Sequence, residues 1–447
     1  MNSHPNRLNG AVFRMGDYTL RRTDVNDAAD RARQHVLDAR LGDPTVFGLA
    51  PYARFTGLVE DALRAPKAWS YTDARGHPEL REALSRGNPE SGNQGYRIHP
   101  DDIFVGAGIS GITRSLFSTL ITKGDEVVIP TWSYIIYFAE AALSRARVVN
   151  APLARNGEPD LDALESVITR RTKALFITTV GNPLGIAMGK ETFCEILSLI
   201  NRKEREYNHP IYLVADTIYE SFRSGSYRID PMELAASEGR IGPTVELYSI
   251  SKMIGAPAAR LGWMRVHRGT AFDEEVSSWI ESLAKICQPT LGPVATPFQL
   301  ALSRMFNELS DPQRREEYDS FMNGRRIEVI GRVRRLMRAL SGIDGLVFPE
   351  YFLGADGRPD PMTVNSFYIV CGIDKKLRPR GGFSQAREMA DHQISKGRIP
   401  VVLATPADSF LSSELRGAPQ EYLRIVALSQ DTDAFAEAIG SYARSMR

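Results

Sequence analysis

From about residue 100 to 266 the chain repeats one rhythm, and that rhythm limits the fold more than any other feature. Short apolar runs alternate with windows of helical periodicity. The runs lie at 103–105, 126–129, 147–150, 174–179, 211–215, 247–250 and 262–266, with helical windows such as 112–120 and 190–201 between them. Strand, helix, strand in repetition predicts a mainly parallel sheet with helices on its faces. The chain has 447 residues, 43% of them apolar, enough for about two to three domains. The expectation is an α/β chain: a three-layer α/β/α large domain over 46–315 and a smaller α+β C-terminal domain over 316–447. A polar arm, 1–45, precedes them. It carries one helical stretch at 25–41, ended by Leu41-Gly42-Asp43-Pro44.

The second domain begins in a long helix. Tyr318, Met322, Val329, Val333, Leu336 and Leu340 fall on one helical face. Arg325, Arg326, Arg332, Arg334, Arg335 and Arg338 crowd the other positions and read as a solvated face. Strands are expected at 365–370 and 423–427, and helices near 384–396 and from Asp431. The charged run 201–210 reads as a surface extension between a helix and a strand.

Charge removes several functions. Lys+Arg 55 against Asp+Glu 54 leaves +1, which gives no general attraction to nucleic acid or to an anionic membrane. Three distant cysteines, Cys194, Cys287 and Cys371, form neither a metal spacing nor a disulfide framework. They suit a reducing compartment, and the cytoplasm is the expected location. Residues 1–10 lack the apolar core of a secretory signal, and no apolar run approaches the ~18 residues of a membrane span.

In open α/β sheets, ligands sit beyond the carboxyl ends of the strands, and the unusual residues of this chain fall there. After 103–105 comes Gly106-Ala107-Gly108-Ile109-Ser110-Gly111, whose amides and following helix can hold an anion; read alone, it is also an ordinary turn. After 126–129 comes Pro130-Thr131-Trp132, an aromatic that can stack on a planar heterocycle or fill core. After 174–179 comes Gly181-Asn182-Pro183. After 211–215 comes Asp216-Thr217-Ile218-Tyr219, in which Asp216 can equally cap a helix. After 245–250 comes Ser251-Lys252, with Arg260 eight positions on. Burial lowers a lysine's pKa and makes it a nucleophile towards carbonyls; on that stretch alone a surface lysine fits as well. Together, an aromatic plate, an amide, a carboxylate, a phenol, an amine and an anion-binding turn match pyridoxal phosphate. That cofactor needs a lysine for its aldehyde, a carboxylate for its ring nitrogen and donors for its phosphate.

On these motifs the chain resembles the fold-type I pyridoxal-phosphate enzymes, within the class I/II aminotransferase family, from about Gly42 to Arg424. The Ser249-Ile250-Ser251-Lys252 run with Arg260 is the most specific part. The resemblance implies an aspartate-aminotransferase-like fold and pyridoxal 5'-phosphate as cofactor. It implies that Lys252 is the Schiff-base lysine, Asp216 the partner of the ring nitrogen, and Tyr219 and Asn182 donors to the ring hydroxyl. Trp132 is the implied stacking aromatic. Gly108, Ile109, Ser110, Ser249 and Arg260 are the implied phosphate site, with Tyr71 reaching the phosphate of a neighbouring subunit in a homodimer. Arg424, in Tyr422-Leu423-Arg424-Ile425, matches the arginine that grips the substrate α-carboxylate, a task its planar fork suits.

The function expected first is transfer of an amino group between an amino acid and a 2-oxo acid. A second reading keeps the cofactor and changes the outcome to β- or γ-elimination or replacement, cyclisation or carbon–carbon bond formation. The synthase that makes aminocyclopropane carboxylate from S-adenosylmethionine is a relative of that kind. A third, a non-enzymatic pyridoxal-phosphate sensor of a transcription regulator, fits poorly, because the arm of about 45 residues is too short for a winged helix. The segment after Gly42, residues 134–137 and residues 288–293 are expected to shape the substrate pocket.

Overall fold

The computed structural model describes residues 36–39, 42–87, 96–225, 227–290, 293–374 and 422–445, with short pieces between 389 and 406. β1 is Val36–Asp38. The strands β2 (Ile103–Ala107), β3 (Glu126–Pro130), β4 (Arg147–Ala151), β5 (Thr172–Thr178), β6 (Tyr212–Asp216), β7 (Thr244–Ser249) and β8 (Leu261–His267) make one seven-stranded sheet. Its order is β2-β8-β7-β6-β5-β3-β4. From β7 to β4 every neighbouring pair is parallel; β8 runs antiparallel to both β7 and β2.

The continuous apolar runs have a direct cause. Alternate residues of a strand face opposite sides, and here both sides are core. Val127, Ile129, Phe176 and Val214 join one buried cluster. Val128, Leu175, Ile177, Leu213 and Ala215 join another, closed by Phe193, Ile196, Leu197 and Ile200 of helix Lys190–Tyr207. Parallel strands covered on both faces lose the apolar–polar alternation for this reason.

Helix Pro312–Ser341 carries the expected apolar face, and the Asp311 carboxylate caps it by accepting from the amides of Gln313 and Arg314. It leads to a four-stranded antiparallel sheet of β9 (Leu346–Val347), β10 (Tyr368–Ile373), β12 (Thr405–Pro406) and β13 (Tyr422–Val426). Helix Thr432–Ser445 closes the described chain. Residues 389, 392–393 and 395–396 are helical, as read from sequence; the rest of the 384–396 window lies outside the described residues.

Three sequence expectations change. The helix expected at 25–41 lies mostly outside the described residues, but Val36–Asp38 is strand, pairing in parallel with β11 (Val401–Leu403). The Ala39 carbonyl then accepts from the Val426 amide, so the small sheet captures backbone that a short isolated helix would have had to satisfy alone. The charged run 201–210 is not an extension. Helix Lys190–Tyr207 takes in its first seven residues, ending at the left-handed Asn208, and Asn201 and Glu204 are buried. Glu204 is ion-paired with the buried Arg240 and accepts from the Ile211 amide at 2.8 Å. Nor is the arginine face wholly solvated. Arg325 and Arg332 are buried and donate to backbone carbonyls: Arg325 to Met253 at 3.2 Å, Arg332 to Phe47 and Leu428 at 2.8 Å each. Periodicity finds a helix face, but it cannot see carbonyls arriving from elsewhere in the chain.

Candidate active site

The carboxyl ends of β5, β6 and β7 bring the chemistry together. Asp216 is the last residue of β6 and is buried. Its Oδ2 accepts from the Tyr137 hydroxyl at 2.5 Å and its Oδ1 from the Ile218 amide at 3.0 Å. Burial pushes the carboxyl up to about 6, against the pull of Tyr137, the Ile218 amide and Lys252. A carboxylate kept at that depth is poised to meet a cation.

Lys252 stands in the turn after β7, and its Nζ donates to the Gly42 carbonyl at 2.5 Å. It is half-buried, so part of its surface stays open while protein surrounds the rest. Burial first, then Arg424 and Arg260, lower its pKa to about 8, against the opposing pull of Asp43 and Asp216. The chain before this turn explains the burial: Val245, Leu247, Tyr248 and Ile250 are all core.

An anion cradle lies beside the lysine. Helix Gly108–Leu120 starts without a side-chain cap, so the amides of its first turn, at Ile109 and Ser110, have no intrahelical partner. Gly108 has φ 68°, and a β-carbon there would stand 2.7 Å from the Arg260 guanidinium. Arg260 itself sits at φ 46° and donates to the carbonyls of Ala107 and Pro257 at 3.1 Å each. Among the described residues it has no carboxylate partner. Ser249 Oγ and Ser251 Oγ lie 2.8 Å apart, and Ser249 donates to the Leu261 carbonyl, which ties the end of β7 to the start of β8.

On the far side, Arg424 of β13 donates from Nη1 to Asn182 Oδ1 at 3.3 Å. The Arg424 guanidinium carbon lies 4.7 Å from the ring centroid of Tyr368, and Tyr368 Oη lies 2.5 Å from Tyr219 Oη. Burial and Tyr368 together hold the Tyr219 phenol well above its ordinary pKa. Trp132, at φ 65°, packs edge-on against Tyr422, 5.8 Å between centroids. The phenol that shares the electrostatic field of Asp216, Arg424, Arg260 and Tyr368 is Tyr134. Tyr71 is 95% exposed and stands outside this chain's own cluster. Of residues 288–293, 288–290 continue helix Asp273–Thr290 and 291–292 lie outside the described residues.

Nothing in the sequence singles out Tyr368; residues 134–137 and the segment after Gly42 are expected at the pocket, but not the Tyr137 bond to Asp216 or the Gly42 carbonyl against Lys252. Tyr137 lies in a nine-residue apolar helix and looks like one more core residue. Tyr368 becomes visible only with strand register: Val370 pairs with Arg424, which makes Tyr368 the diagonal same-face neighbour of that arginine.

Residues 50–359 match the model of the family described as aminotransferase class I and II. The chain belongs to this family. Among its relatives is the tyrosine aminotransferase of Dictyostelium discoideum, 28% identical over 288 residues, which are 62% of this chain and 63% of that one. The alanine aminotransferase of Mycobacterium bovis is 29% identical over 271 residues, 58% and 57% of the two chains. The chain thus spans less than two thirds of the length of either relative. In fold it is similar to the alanine aminotransferase of Pyrococcus furiosus, with a TM-score of 0.74 at 22% identity over 94% of this chain and 97% of that one.

The class I and II aminotransferases use pyridoxal phosphate, and the residues of this member fit that group. The Gly108 cradle is shaped by a position where a β-carbon would strike Arg260, which suits a phosphate. The buried Asp216 suits a protonated ring nitrogen. The lysine lies within the field of both Asp216 and Arg260. No described helix is long and apolar enough to cross a membrane.

Proposed function

We propose that this family member is an amino-acid transaminase, exchanging an amino group between an amino acid and a 2-oxo acid. The observation that carries the reading is the convergence of Lys252, with its pKa lowered to about 8, and Arg424, held by Asn182, on one cleft floored by Asp216. Bound pyridoxal phosphate supplies an aldehyde for amines and a ring that takes up the electron pair left at Cα.

The residues divide the work. Asp216 would meet the ring nitrogen and hold a proton there. Tyr219 and Asn182 donate towards the ring hydroxyl. The amides of Ile109 and Ser110, with Gly108, Ser249 and Arg260, hold the phosphate. Trp132 and Tyr134 supply aromatic walls. Arg424 would bind the α-carboxylate through its planar fork and so orient the bonds at Cα. Lys252 moves the proton at Cα. At pH 7.5 a pKa of about 8 leaves roughly a quarter of the amine neutral, against about a thousandth for an ordinary lysine.

We infer a cytoplasmic homodimer. Support for the dimer comes from the 95% exposure of Tyr71 and the 75% exposure of Trp69 two positions before it, aromatic surface that a second copy would cover. Isologous pairs are also the commonest assembly.

The experiment is to load the protein with pyridoxal phosphate, offer a panel of amino acids, and follow the cofactor spectrum and the products. The expected result is conversion of the cofactor to its amine form with release of a 2-oxo acid. Release of a side-chain leaving group without that conversion would overturn transamination in favour of elimination. Lys252→Ala should lose the absorbance of lysine-bound cofactor; if it kept that band, the lysine would be misassigned.

A further inference from the structure

The polar heart of the site contains a residue of the small sheet to which the proposed chemistry gives no part. Tyr368 is buried, and it lies on β10 rather than at a strand end of the large sheet. Its hydroxyl is 2.5 Å from the Tyr219 hydroxyl. Its ring lies under the Arg424 guanidinium, 4.7 Å from centroid to carbon. A β-carbon on Gly42 would collide with Tyr368 Oη and stand 3.4 Å from Lys252 Nζ, so the phenol and the amine face the same point of the backbone. One side chain therefore borders the phenol, the carboxylate-binding arginine and the lysine.

A pair of phenols 2.5 Å apart shares one hydrogen bond, and only one of the two can donate. A cation over an aromatic face is attracted to the ring, and Arg424 lies over Tyr368. Either hydroxyl could be the donor of the bond between the phenols, but each phenol has a single proton: when Tyr219 donates into the cleft, Tyr368 is the one that donates between them. Tyr219 accepts. Its own proton is then left for the cleft, and a phenol that accepts a hydrogen bond donates more strongly.

We propose that Tyr368 is a positioning residue with two separable actions: its hydroxyl aims and strengthens the Tyr219 donor, and its ring holds the Arg424 guanidinium for a carboxylate. The proposal rests on the transaminase reading for what Tyr219 and Arg424 meet, but the contacts themselves do not depend on it. The two actions predict different losses. Tyr368→Phe keeps the ring and removes the hydroxyl. Tyr368→Leu removes both.

The test uses the full chain loaded with pyridoxal phosphate, and Tyr219→Phe as reference. A donor to the ring oxygen favours its deprotonated form. The pH midpoint of the absorbance of lysine-bound cofactor should therefore rise in Tyr219→Phe. It should rise in Tyr368→Phe in the same direction by a smaller amount, about half a unit. Affinity for 2-methylalanine, an amino acid without a Cα hydrogen, should stay within about twofold of wild type in Tyr368→Phe and fall roughly fivefold in Tyr368→Leu. An unmoved midpoint in Tyr368→Phe, or equal affinities in the two variants, overturns the corresponding action. Cofactor-free protein supplies the independent arm. Tyr219→Phe and Tyr368→Phe should be non-additive in urea unfolding, as residues in contact are; additive losses remove the phenol pair. If the wild type takes up no pyridoxal phosphate, the transaminase reading fails, and this last arm still decides the contact.

Discussion

Lys252 should be a burden to the cofactor-free fold, and replacing it with methionine should make that fold more stable. The cost can be worked from the structure. Its pKa is lowered from 10.5 to about 8, by burial first and then by Arg424 and Arg260. One unit corresponds to about 1.36 kcal/mol, so the whole shift amounts to about 3 kcal/mol. Two terms reduce it. The amine keeps part of its surface open to the cleft, where solvent screens it, and its bond to the Gly42 carbonyl returns about 1 kcal/mol. Lys252→Met should therefore gain about 1–2 kcal/mol at pH 7. Because the folded pKa lies below the unfolded one, the unfolded chain binds more protons between pH 8 and 10.5, and wild-type stability rises across that window. The penalty is complete below pH 8 and gone above 10.5, so the advantage of Lys252→Met should shrink to nothing or reverse over the same range. Urea unfolding of both cofactor-free proteins from pH 7 to 10.5 measures this directly. An advantage that stays constant with pH would refute an electrostatic origin. No advantage at pH 7 would mean that the amine is not charged and confined as described.

Four further outcomes check the site and the fold. Arg424→Ala should raise the KM for amino acids about 10–100-fold, the value of one or two charged hydrogen bonds, with a smaller effect on kcat. Gly108→Ala should weaken pyridoxal-phosphate binding about tenfold or more in a fluorescence titration, since the new β-carbon meets Arg260 at 2.7 Å and φ is 68°; unchanged affinity would move the phosphate elsewhere. Mixed after co-unfolding and refolding, Lys252→Ala and Tyr71→Ala should regain up to about a quarter of wild-type activity, because half the dimers are hybrids with one complete site; no recovery would confine Tyr71 to its own chain. Glu204→Gln should lower stability by about 3–5 kcal/mol, as breaking a buried ion pair does, without altering kcat in what still folds.

Much of this molecule was legible because its sheet is buried on both faces. Apolar runs such as those around Val128 and Val214 leave no alternation to misread, and the polar residues that end them stand out. Asp216 and Lys252 stand out in this way, although each alone also reads as a helix cap or a surface lysine, and only the whole set of strand-end residues points to one site. The carbonyl-bound arginines were not legible. Arg325 and Arg334 look alike in the sequence of one helix, and only the first meets the carbonyls of Ala50 and Met253. Helical periodicity records which side chains repel water and says nothing about where other backbone will need a donor. The segment 36–39 failed for a related reason: its structure is decided by β11, more than 360 residues away.

Tyr368 shows where such reading stops and what takes over. It sits mid-strand in a second sheet, in an apolar run that predicts nothing but core. Its significance comes from two pairings that no local pattern encodes. β10 must lie against β13 with Val370 opposite Arg424, and β6 must end so that Tyr219 projects towards the small sheet. The large sheet alone provides an amine, a carboxylate and an anion cradle. The small sheet adds Arg424 and, through Tyr368, fixes both the arginine and the phenol that faces it from the other side. Carboxylate recognition and the tuning of Tyr219 thus share one side chain, and a substitution that loosens the small sheet from the large one should disturb both together. That coupling separates Tyr368 from an ordinary core tyrosine: cavity formation would lower stability, but it would not move a donor's pH midpoint and a carboxylate affinity through two different atoms of the same residue.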